Sequence, residues 1–491
     1  MPRNLKRRQF FIALIDVLLM YAALSLSLVA RRGRSLSFEY LWYHVVHFTP
    51  LFALWLVIFY ILGFYRLDHT SNTYNYVKLF SAGFLASGFV SVCYFYINPV
   101  AYIAPKLLLV LLFIIYGTLL WGWRYLYEKR WVQNQKYRVG VGFIGITKEV
   151  EQIVRELNQH TLLGYDARFF FDPNSDERGE GGCGSTEIAL HDDGEVVAVA
   201  DGGAGEDCPS ENGEGKIRRI GDVSAIRSII QETNVDLIVI AAGQRSLSPE
   251  LIRELYGLLD IKVRFMHLPD FYEMIFRRVP INAINESWFL EHVDMRAVMP
   301  YETIKAIFDR ILAALLLLIS LPFFPIIALG IKLESKGPVF FKQKRVGRNG
   351  RPFTMIKFRT MREEGNDFAP TEEGDGRITK FGSFLRSTRI DEIPQALNIL
   401  RGEMSFIGPR PERPEIAQRL AEAIPYYQQR HLLKPGVTGW DQVCGEYHSP
   451  SIADTKKKLQ YDLYYLKNIS FSLDVSIFCR TILTMIRRKG R

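Results

Sequence analysis

A membrane protein that joins an all-helical bundle to two α/β domains is the fold class predicted by this sequence of 491 residues. Three observations carry that expectation. Four apolar stretches, each near the ~20 residues that a spanning helix needs, precede residue 125. Strand-like and helix-like runs alternate over 137–285. A late apolar run, 311–331, is broken by Ser320, Pro322 and Pro325. The chain therefore divides into a four-span transmembrane bundle (1–136), a Rossmann-like α/β domain with an acidic, glycine-rich insertion at 172–215 (137–285), and a C-terminal α/β domain (286–491) whose re-entrant membrane helix covers about 304–333.

The four spans are 10–30, 45–64, 79–97 and 107–123. The basic start from Arg3 to Arg8 would suit a signal peptide, but the first stretch is long, lacks a clean small-residue cleavage site and is followed by three more. Lys and Arg in short loops set orientation. With the N-terminus inside, the inner segments hold 11 such residues and the outer loops 4, so both ends of the bundle face the cytoplasm. Asp16 lies within the first span. An acid there marks either a functional site or a hydrogen bond between helices.

The middle domain reads as βαβ units on a parallel sheet: strands at 139–144, 167–171, 235–241 and 263–268, helices at 148–158, 222–233 and 249–259. Residues 172–215 hold thirteen acids, one base and ten glycines, which predicts a loosely structured insertion. One strand of a hairpin is still possible at 195–200. The whole chain carries +9; this insertion carries −12, so the remainder carries +21. Such a remainder suits anionic partners: lipid headgroups, nucleic acid or phosphorylated substrates. Five scattered cysteines without a C-x-x-C pair argue against a disulfide framework and a zinc site. Gly140-Val-Gly142-Phe-Ile-Gly145 matches G-x-G-x-x-G, but its glycines lie inside the strand, and Asp172 follows Gly140 by 32 residues rather than about 20. A Rossmann-like domain without dinucleotide is the plainer reading.

Basic residues flank the late apolar run on both sides. Lys305 and Arg310 precede it, and 332–360 carries nine bases against Glu334 alone. A straight crossing would export one basic flank. Two prolines and a serine at mid-run favour a helix that enters, bends and returns. A kinked fifth span and a buried soluble helix are the alternatives.

Beyond it, 337–361 alternates apolar and basic residues around glycines and reads as a β-hairpin presenting cations. In Arg389-Ile-Asp391-Glu392-Ile-Pro394, proline is tolerated in a helix's first turn, so both carboxylates sit at a helix start. The dipole favours anions there. Two adjacent carboxylates can attack and hold a metal, or they can simply cap the helix. Met404-Ser-Phe-Ile-Gly408-Pro-Arg410-Pro-Glu-Arg413-Pro is a stiffened turn that presents arginines, which suit phosphate oxygens; a surface turn with an ion pair is the bland alternative. Lys434-Pro-Gly-Val-Thr-Gly-Trp440 is a loop, and Tyr461-Asp462-Leu-Tyr464-Tyr465 places an acid among tyrosines.

In this order, Phe340-Phe-Lys-Gln, Lys357-Phe-Arg359-Thr-Met, Asp391-Glu392-Ile-Pro-Gln, Gly408-Pro-Arg410-Pro, Lys434-Pro-Gly-Val-Thr-Gly-Trp and Tyr461-Asp-Leu-Tyr-Tyr resemble the bacterial sugar transferases, the monotopic-type polyprenyl-phosphate hexose-1-phosphate transferases. The resemblance covers about 300–491. Four spans and a Rossmann-like domain upstream resemble the large form of that family. The resemblance implies a UDP-hexose donor, undecaprenyl phosphate as acceptor, and undecaprenyl diphosphate-hexose and UMP as products, starting exopolysaccharide, capsule or O-antigen repeats. It implies that Asp391 is the nucleophile, that Glu392 holds Mg²⁺, and that Arg410, Lys357 and Arg359 bind substrate phosphate. Asp462 matches a family acid and is grouped with these. The implied setting is the bacterial cytoplasmic membrane, with the catalytic domain on the cytoplasmic side of the bilayer. A homodimer is left open, and no nucleic acid partner is implied.

Two other readings compete. A membrane-bound NAD-dependent nucleotide-sugar dehydratase would need an intact dinucleotide loop and a Tyr-x-x-x-Lys pair; Tyr301/Lys305, Tyr125/Lys129 and Tyr74/Lys78 all match by spacing. A non-catalytic scaffold for polysaccharide assembly would not need the intact Asp391, Glu392 and Arg410 set.

Overall fold

Helices fill most of the first 127 residues of the computed structural model, which describes residues 3–32, 37–62, 64–65, 73–97, 105–127, 138–159, 164–172, 186–190, 196–199, 217–220, 223–241, 247–261, 263–362, 375–444 and 451–486. The chain divides between Phe276 and Arg277 into two units.

The first unit begins with α1 (Arg3–Arg32), α2 (Phe38–Leu62), α3 (Thr73–Ile97) and α4 (Pro105–Tyr127). Phe10–Arg31, Phe38–Tyr60 and Leu107–Tyr127 are long and apolar enough to cross a membrane; Gly83–Tyr96 of α3 is a shorter apolar helix. Met20, Leu24, Trp55, Phe59, Leu112 and Tyr116 pack inside, while Leu18, Val57, Leu85 and Ile114 face outward. Lipid offers polar groups no partners, so they must bond within the bundle. Trp55 Nε1 donates to Ser91 Oγ at 3.1 Å and joins α2 to α3. Arg124 of α4 donates to Asp16 of α1 at 2.7 Å. Of the two roles open to Asp16, the helix-to-helix bond is the one observed.

From β1 (Val139–Ile144) the chain continues through α5 (Lys148–Gln159), β2 (Tyr165–Phe171), β3 (Thr186–Leu190), β4 (Val196–Val199), β5 (Ile217–Ile220), α6 (Ile226–Thr233), β6 (Val235–Ile240), α7 (Pro249–Gly257), β7 (Arg264–His267) and α8 (Leu268–Phe276). They build one sheet in the order β4-β3-β5-β2-β1-β6-β7. The run β5-β2-β1-β6-β7 is parallel; β3 pairs antiparallel with β5 and β4. The composition of 172–215 predicts a loose insertion, yet the apolar, β-branched residues of β3 and β4 form a hairpin that extends the sheet. The rest of that insertion, apart from Asp172, lies outside the described residues. Gly140 and Gly142 sit within β1, between two strands. A Cβ on Gly140 would stand 2.6 Å from the Asn234 carbonyl oxygen, and one on Gly142 would enter the Phe169 ring. These glycines therefore permit close sheet packing.

The second unit starts earlier than the motifs suggest, because 277–285 belongs to its core. Val279, Ile281 and Ile284 pack with Trp288 of α9 (Glu286–His292), and Val279 N–H donates to the Gln460 carbonyl at 3.1 Å. Then come α10 (Met295–Ser320), a 3₁₀ turn at Leu321–Phe323 and α11 (Phe324–Glu334). Met295–Glu334 is apolar enough to cross a membrane and is only 11% buried over its most apolar window. The break falls where Ser320, Pro322 and Pro325 predict it. Ala313 before the break packs against Phe353 and Met355, and Ile331 after it against Phe358.

These partners lie on the antiparallel hairpin of β8 (Phe340–Val346) and β9 (Pro352–Phe358), whose turn holds Asn349 and Gly350 at φ 55° and 75°. The remaining elements are α12 (Lys380–Ser387), a 3₁₀ segment at Ile390–Gln395, α13 (Ala396–Leu400), β10 (Ser405–Ile407), α14 (Pro414–Ala423), β11 (Gly436–Thr438), α15 (Trp440–Val443), α16 (Ile452–Asn468) and α17 (Phe471–Ile486). Instead of the α/β layers expected, the described part of this unit is mostly helical with two two-stranded sheets. The reason is local: its glycine- and proline-rich motifs leave strands of only three residues at β10 and β11.

Candidate active site

The Asp391–Glu392 pair is delivered by a sharp reversal after α12. Arg389 takes a left-handed conformation at φ 56°, which ends that helix and starts the 3₁₀ segment with both acids in its first turn. Pro394 lies later in the segment, so the carboxylates precede α13 rather than open an α-helix. Asn398 locks this region to the hairpin: its side chain accepts from Ile356 N–H at 3.2 Å and donates to the Thr354 carbonyl at 2.7 Å. That bond fixes β9, and with it Lys357, beside the acids.

The two carboxylates have opposite surroundings. Glu392 Oε1 accepts from Lys357 Nζ at 2.8 Å and lies 3.5 Å from Arg410 Nη2; its Oε2 lies 3.5 Å from Arg389 Nη1. Asp391 is 7% exposed, and among the described residues nothing is hydrogen-bonded or ion-paired to its carboxylate. Burial alone would push Glu392 upward, but the Lys357 and Arg410 charges reverse this and hold it at about 2. Burial raises Asp391 above the ordinary aspartate value, and the charge of Glu392 adds to the rise against Lys357, Arg386 and Arg410. Burial lowers Lys357, against the pull of Glu392. Arg410 keeps 45% of its side chain exposed and can take a further anionic partner.

Arg410 is aimed by two glycine motifs stacked backbone to backbone. β10 and β11 pair in parallel, with Gly408 N–H donating to the Thr438 carbonyl at 2.9 Å and Gly436 N–H to the Pro409 carbonyl at 3.0 Å. A Cβ on Gly436 would enter the Gly408 backbone, and one on Gly439 would lie 2.6 Å from the Gly408 oxygen. Gly436→Ala is therefore expected to destabilise the second unit by about 1–3 kcal/mol and to displace Arg410. Thermal unfolding of the purified variant checks this; an unchanged midpoint would contradict the stacking argument.

Two of the expected site residues are placed elsewhere. Arg359 is buried, and its Nη1 and Nη2 donate to the Lys336 and Ser335 carbonyls at 2.9 Å each. It ties the end of the hairpin to the end of α11. Asp462 is buried on α16 and accepts from Arg430 Nε at 2.9 Å, while Arg430 Nη2 donates to the Arg410 carbonyl at 2.9 Å. A carboxylate would repel a phosphate, so this acid acts through Arg430 on the backbone of Arg410. The sequence reading missed Arg386, Arg389 and Arg430. A buried acid among tyrosines demands a cation, and that requirement was the available signal for Arg430. The Tyr301/Lys305 pair, spaced as Tyr-x-x-x-Lys, is committed to Asp474: Tyr301 Oη donates to it at 2.6 Å and Lys305 Nζ pairs with it at 2.7 Å.

Compared with known proteins, the family model for bacterial sugar transferases matches residues 300–488. A UDP-glucose:undecaprenyl-phosphate glucose-1-phosphate transferase of Xanthomonas campestris pv. campestris is 44% identical over 191 residues, 38% of this chain and 39% of that protein. A UDP-N-acetylgalactosamine-undecaprenyl-phosphate N-acetylgalactosaminephosphotransferase of Aeromonas hydrophila is 38% identical over 262 residues, 52% of this chain and 60% of that protein. Exopolysaccharide production protein PSS of Rhizobium leguminosarum bv. phaseoli is 40% identical over 195 residues, 38% of this chain and 96% of that protein. The chain thus spans less than two thirds of the first two relatives and nearly all of the third.

Proposed function

Since the chain belongs to the bacterial sugar transferase family, we propose that its second unit moves a hexose-1-phosphate from a UDP-hexose to undecaprenyl phosphate, releasing UMP and starting a polysaccharide repeat. The observation that carries this reading is the asymmetry of the dyad: an unbonded Asp391 beside a Glu392 surrounded by cations. An Asp391 oxygen attacks the donor's β-phosphorus. A P–O bond forms, the bond to the α-phosphate oxygen breaks, and UMP leaves with the electron pair. A phosphate oxygen of undecaprenyl phosphate then attacks the same phosphorus, and the aspartyl–phosphate bond breaks to regenerate the carboxylate. Covalent catalysis of this kind lets one site receive a soluble donor and a lipid in turn. Lys357, Arg389 and Arg410 set the field for the diphosphate, and Arg430 with Asp462 holds Arg410 in place.

We propose that Mg²⁺ joins this site through Glu392 and the substrate phosphates. Mg²⁺ is ordinarily held by one or two carboxylates plus substrate phosphates. Among the described residues no group of three or more His, Cys, Asp or Glu offers a fuller cage. Glu392 is the residue to hold it, and the ion when bound supplies charge neutralisation as UMP departs.

The relatives differ in the sugar their names carry, glucose in one and N-acetylgalactosamine in another. Labelled UDP-glucose, UDP-galactose, UDP-N-acetylglucosamine and UDP-N-acetylgalactosamine, each offered with undecaprenyl phosphate, test the function. One should yield a labelled lipid and UMP; no labelled lipid from any would oppose the proposal. The middle domain is read as Rossmann-like without a dinucleotide, its strand glycines being used in packing.

The reading includes a re-entrant α10–α11 with both ends in the cytoplasm. Contacts at the two ends support it: Lys305 donates to the Ile407 carbonyl at 2.8 Å, and Arg359 holds the Ser335 and Lys336 carbonyls at 2.9 Å. Both ends thus touch one fold, as a helix that enters and returns requires. A net +8 over 332–360 also opposes export. Cysteines introduced at Lys305 and Lys336, in a cysteine-free background, should resist an impermeant thiol reagent outside intact cells and react once the inner face is opened. Labelling at 336 from outside would refute re-entry.

A further inference from the structure

A cavity of about 240 Å³ lies beside α10, lined by Glu302, Lys305, Asp309, Arg310, Arg348 and Lys434 among others. None of Lys357, Asp391, Glu392 or Arg410 lines it. Most of its charges are accounted for. Lys305 pairs with Asp474 at 2.7 Å, Arg348 with Glu302 at 2.8 Å, and Asp309 accepts from Ser405 at 2.6 Å. Arg310 and Lys434 remain. Among the described residues neither has a hydrogen-bond or ion-pair partner, and both face Gly402, whose Cβ would stand 3.2 Å from Arg310 Nη2 and 3.9 Å from Lys434 Nζ. Burial and then the neighbouring Arg310 and Arg348 charges lower the Lys434 ammonium, outweighing the smaller opposite pull of Glu302 and Asp309. Two cations converge where an anion would relieve them.

The same wall of α10 continues into apolar surface. Met299 and Ile307 line the cavity, and Ile304, Ile307, Phe308 and Ile311 are more than half exposed. Arg310 stands at the first edge of the apolar run, where a long cationic side chain reaches the headgroup level. We propose that this cavity holds the phosphate of an anionic phospholipid headgroup, gripped by Arg310 and Lys434, with the acyl chains along the outer face of α10. The ligand chemistry is a phosphate anion, and the adjoining apolar surface favours a lipid over free phosphate as its source. This proposal rests on α10 lying at the membrane, but not on the transfer chemistry.

The test uses the full chain in a neutral detergent and follows thermal unfolding during titration with short-chain phosphatidylglycerol. A saturable rise in midpoint is expected. Each cation lost should weaken half-saturation roughly fivefold, the ~1 kcal/mol of a near-surface charge, so the Arg310→Gln/Lys434→Gln pair should weaken it roughly twentyfold or more. Arg310→Lys/Lys434→Arg should retain the response, and Lys434→Gln alone serves if the double variant does not fold. An unchanged half-saturation in the glutamine variants overturns the site. An equal shift from short-chain phosphatidylcholine overturns the anionic headgroup, and one from inorganic phosphate overturns the lipid source. The shift is read without UDP-sugar, so a chain inactive in transfer can still show it.

Discussion

Asp391→Asn is expected to lower transfer by at least about 10³-fold, as losses of catalytic nucleophiles do. The amide keeps the size and nearly the shape of the carboxylate, and the wild-type side chain bonds to no described residue, so folding should be little affected. What is lost is an anionic oxygen able to bond phosphorus. Rearrangement of the Lys357–Glu392 pair cannot replace it, because Glu392 is held by three cations. A pH profile separates the two acids. In the proposed mechanism the ionised form of Asp391 is the reactive one, and its affinity for protons is raised above the ordinary aspartate value of 3.8. Activity should therefore fall on acidification at a pH above that value. Glu392, at about 2, stays ionised throughout and contributes nothing to that limb. Near-normal turnover by the asparagine variant would remove Asp391 from the mechanism.

Chelation is the second large effect. A chelator should stop transfer completely and added Mg²⁺ should restore it, because in the proposed mechanism the donor diphosphate is otherwise neutralised only by Lys357 and the arginines. Glu392→Gln should lower turnover by about 10²–10³-fold, the scale found when a positioned electrostatic group is removed. It should also raise the Mg²⁺ concentration needed. The same change leaves Lys357 and Arg389 without their anion, which costs about 3–5 kcal/mol where the pair is buried. Unfolding must be measured alongside, and a Glu392→Asp variant that partly restores the metal response would separate the two losses. Full activity in chelator would contradict a metal role.

Much of this was legible in the residues. The bundle helices, the β8–β9 hairpin and the break at Ser320–Pro325 follow from apolar length, alternation and proline placement, each a short-range pattern. The motifs marked Asp391, Glu392, Lys357 and Arg410, which the fold brings together. Other features were not legible because they are tertiary. Arg359 and Asp462 sit in the same motifs, yet one binds backbone carbonyls and the other a buried arginine. A motif records that a residue type is needed, not which neighbour needs it. Gly408, Gly436 and Gly439 looked like turn residues, whereas their backbones are in contact across β10 and β11. Inside 172–215 one hairpin strand was legible at 195–200, but its partner Thr186–Leu190 was hidden by the surrounding glycines and acids, because composition averages over segments that pair individually.

The most direct test of the covalent mechanism is the mass of the peptide containing Asp391 after the chain meets its UDP-sugar without undecaprenyl phosphate. The mechanism predicts one phosphosugar on Asp391, released UMP in equal amount, and loss of the adduct when the lipid is added. UMP formed only when both substrates are present, with no adduct on that peptide under any condition, would contradict it.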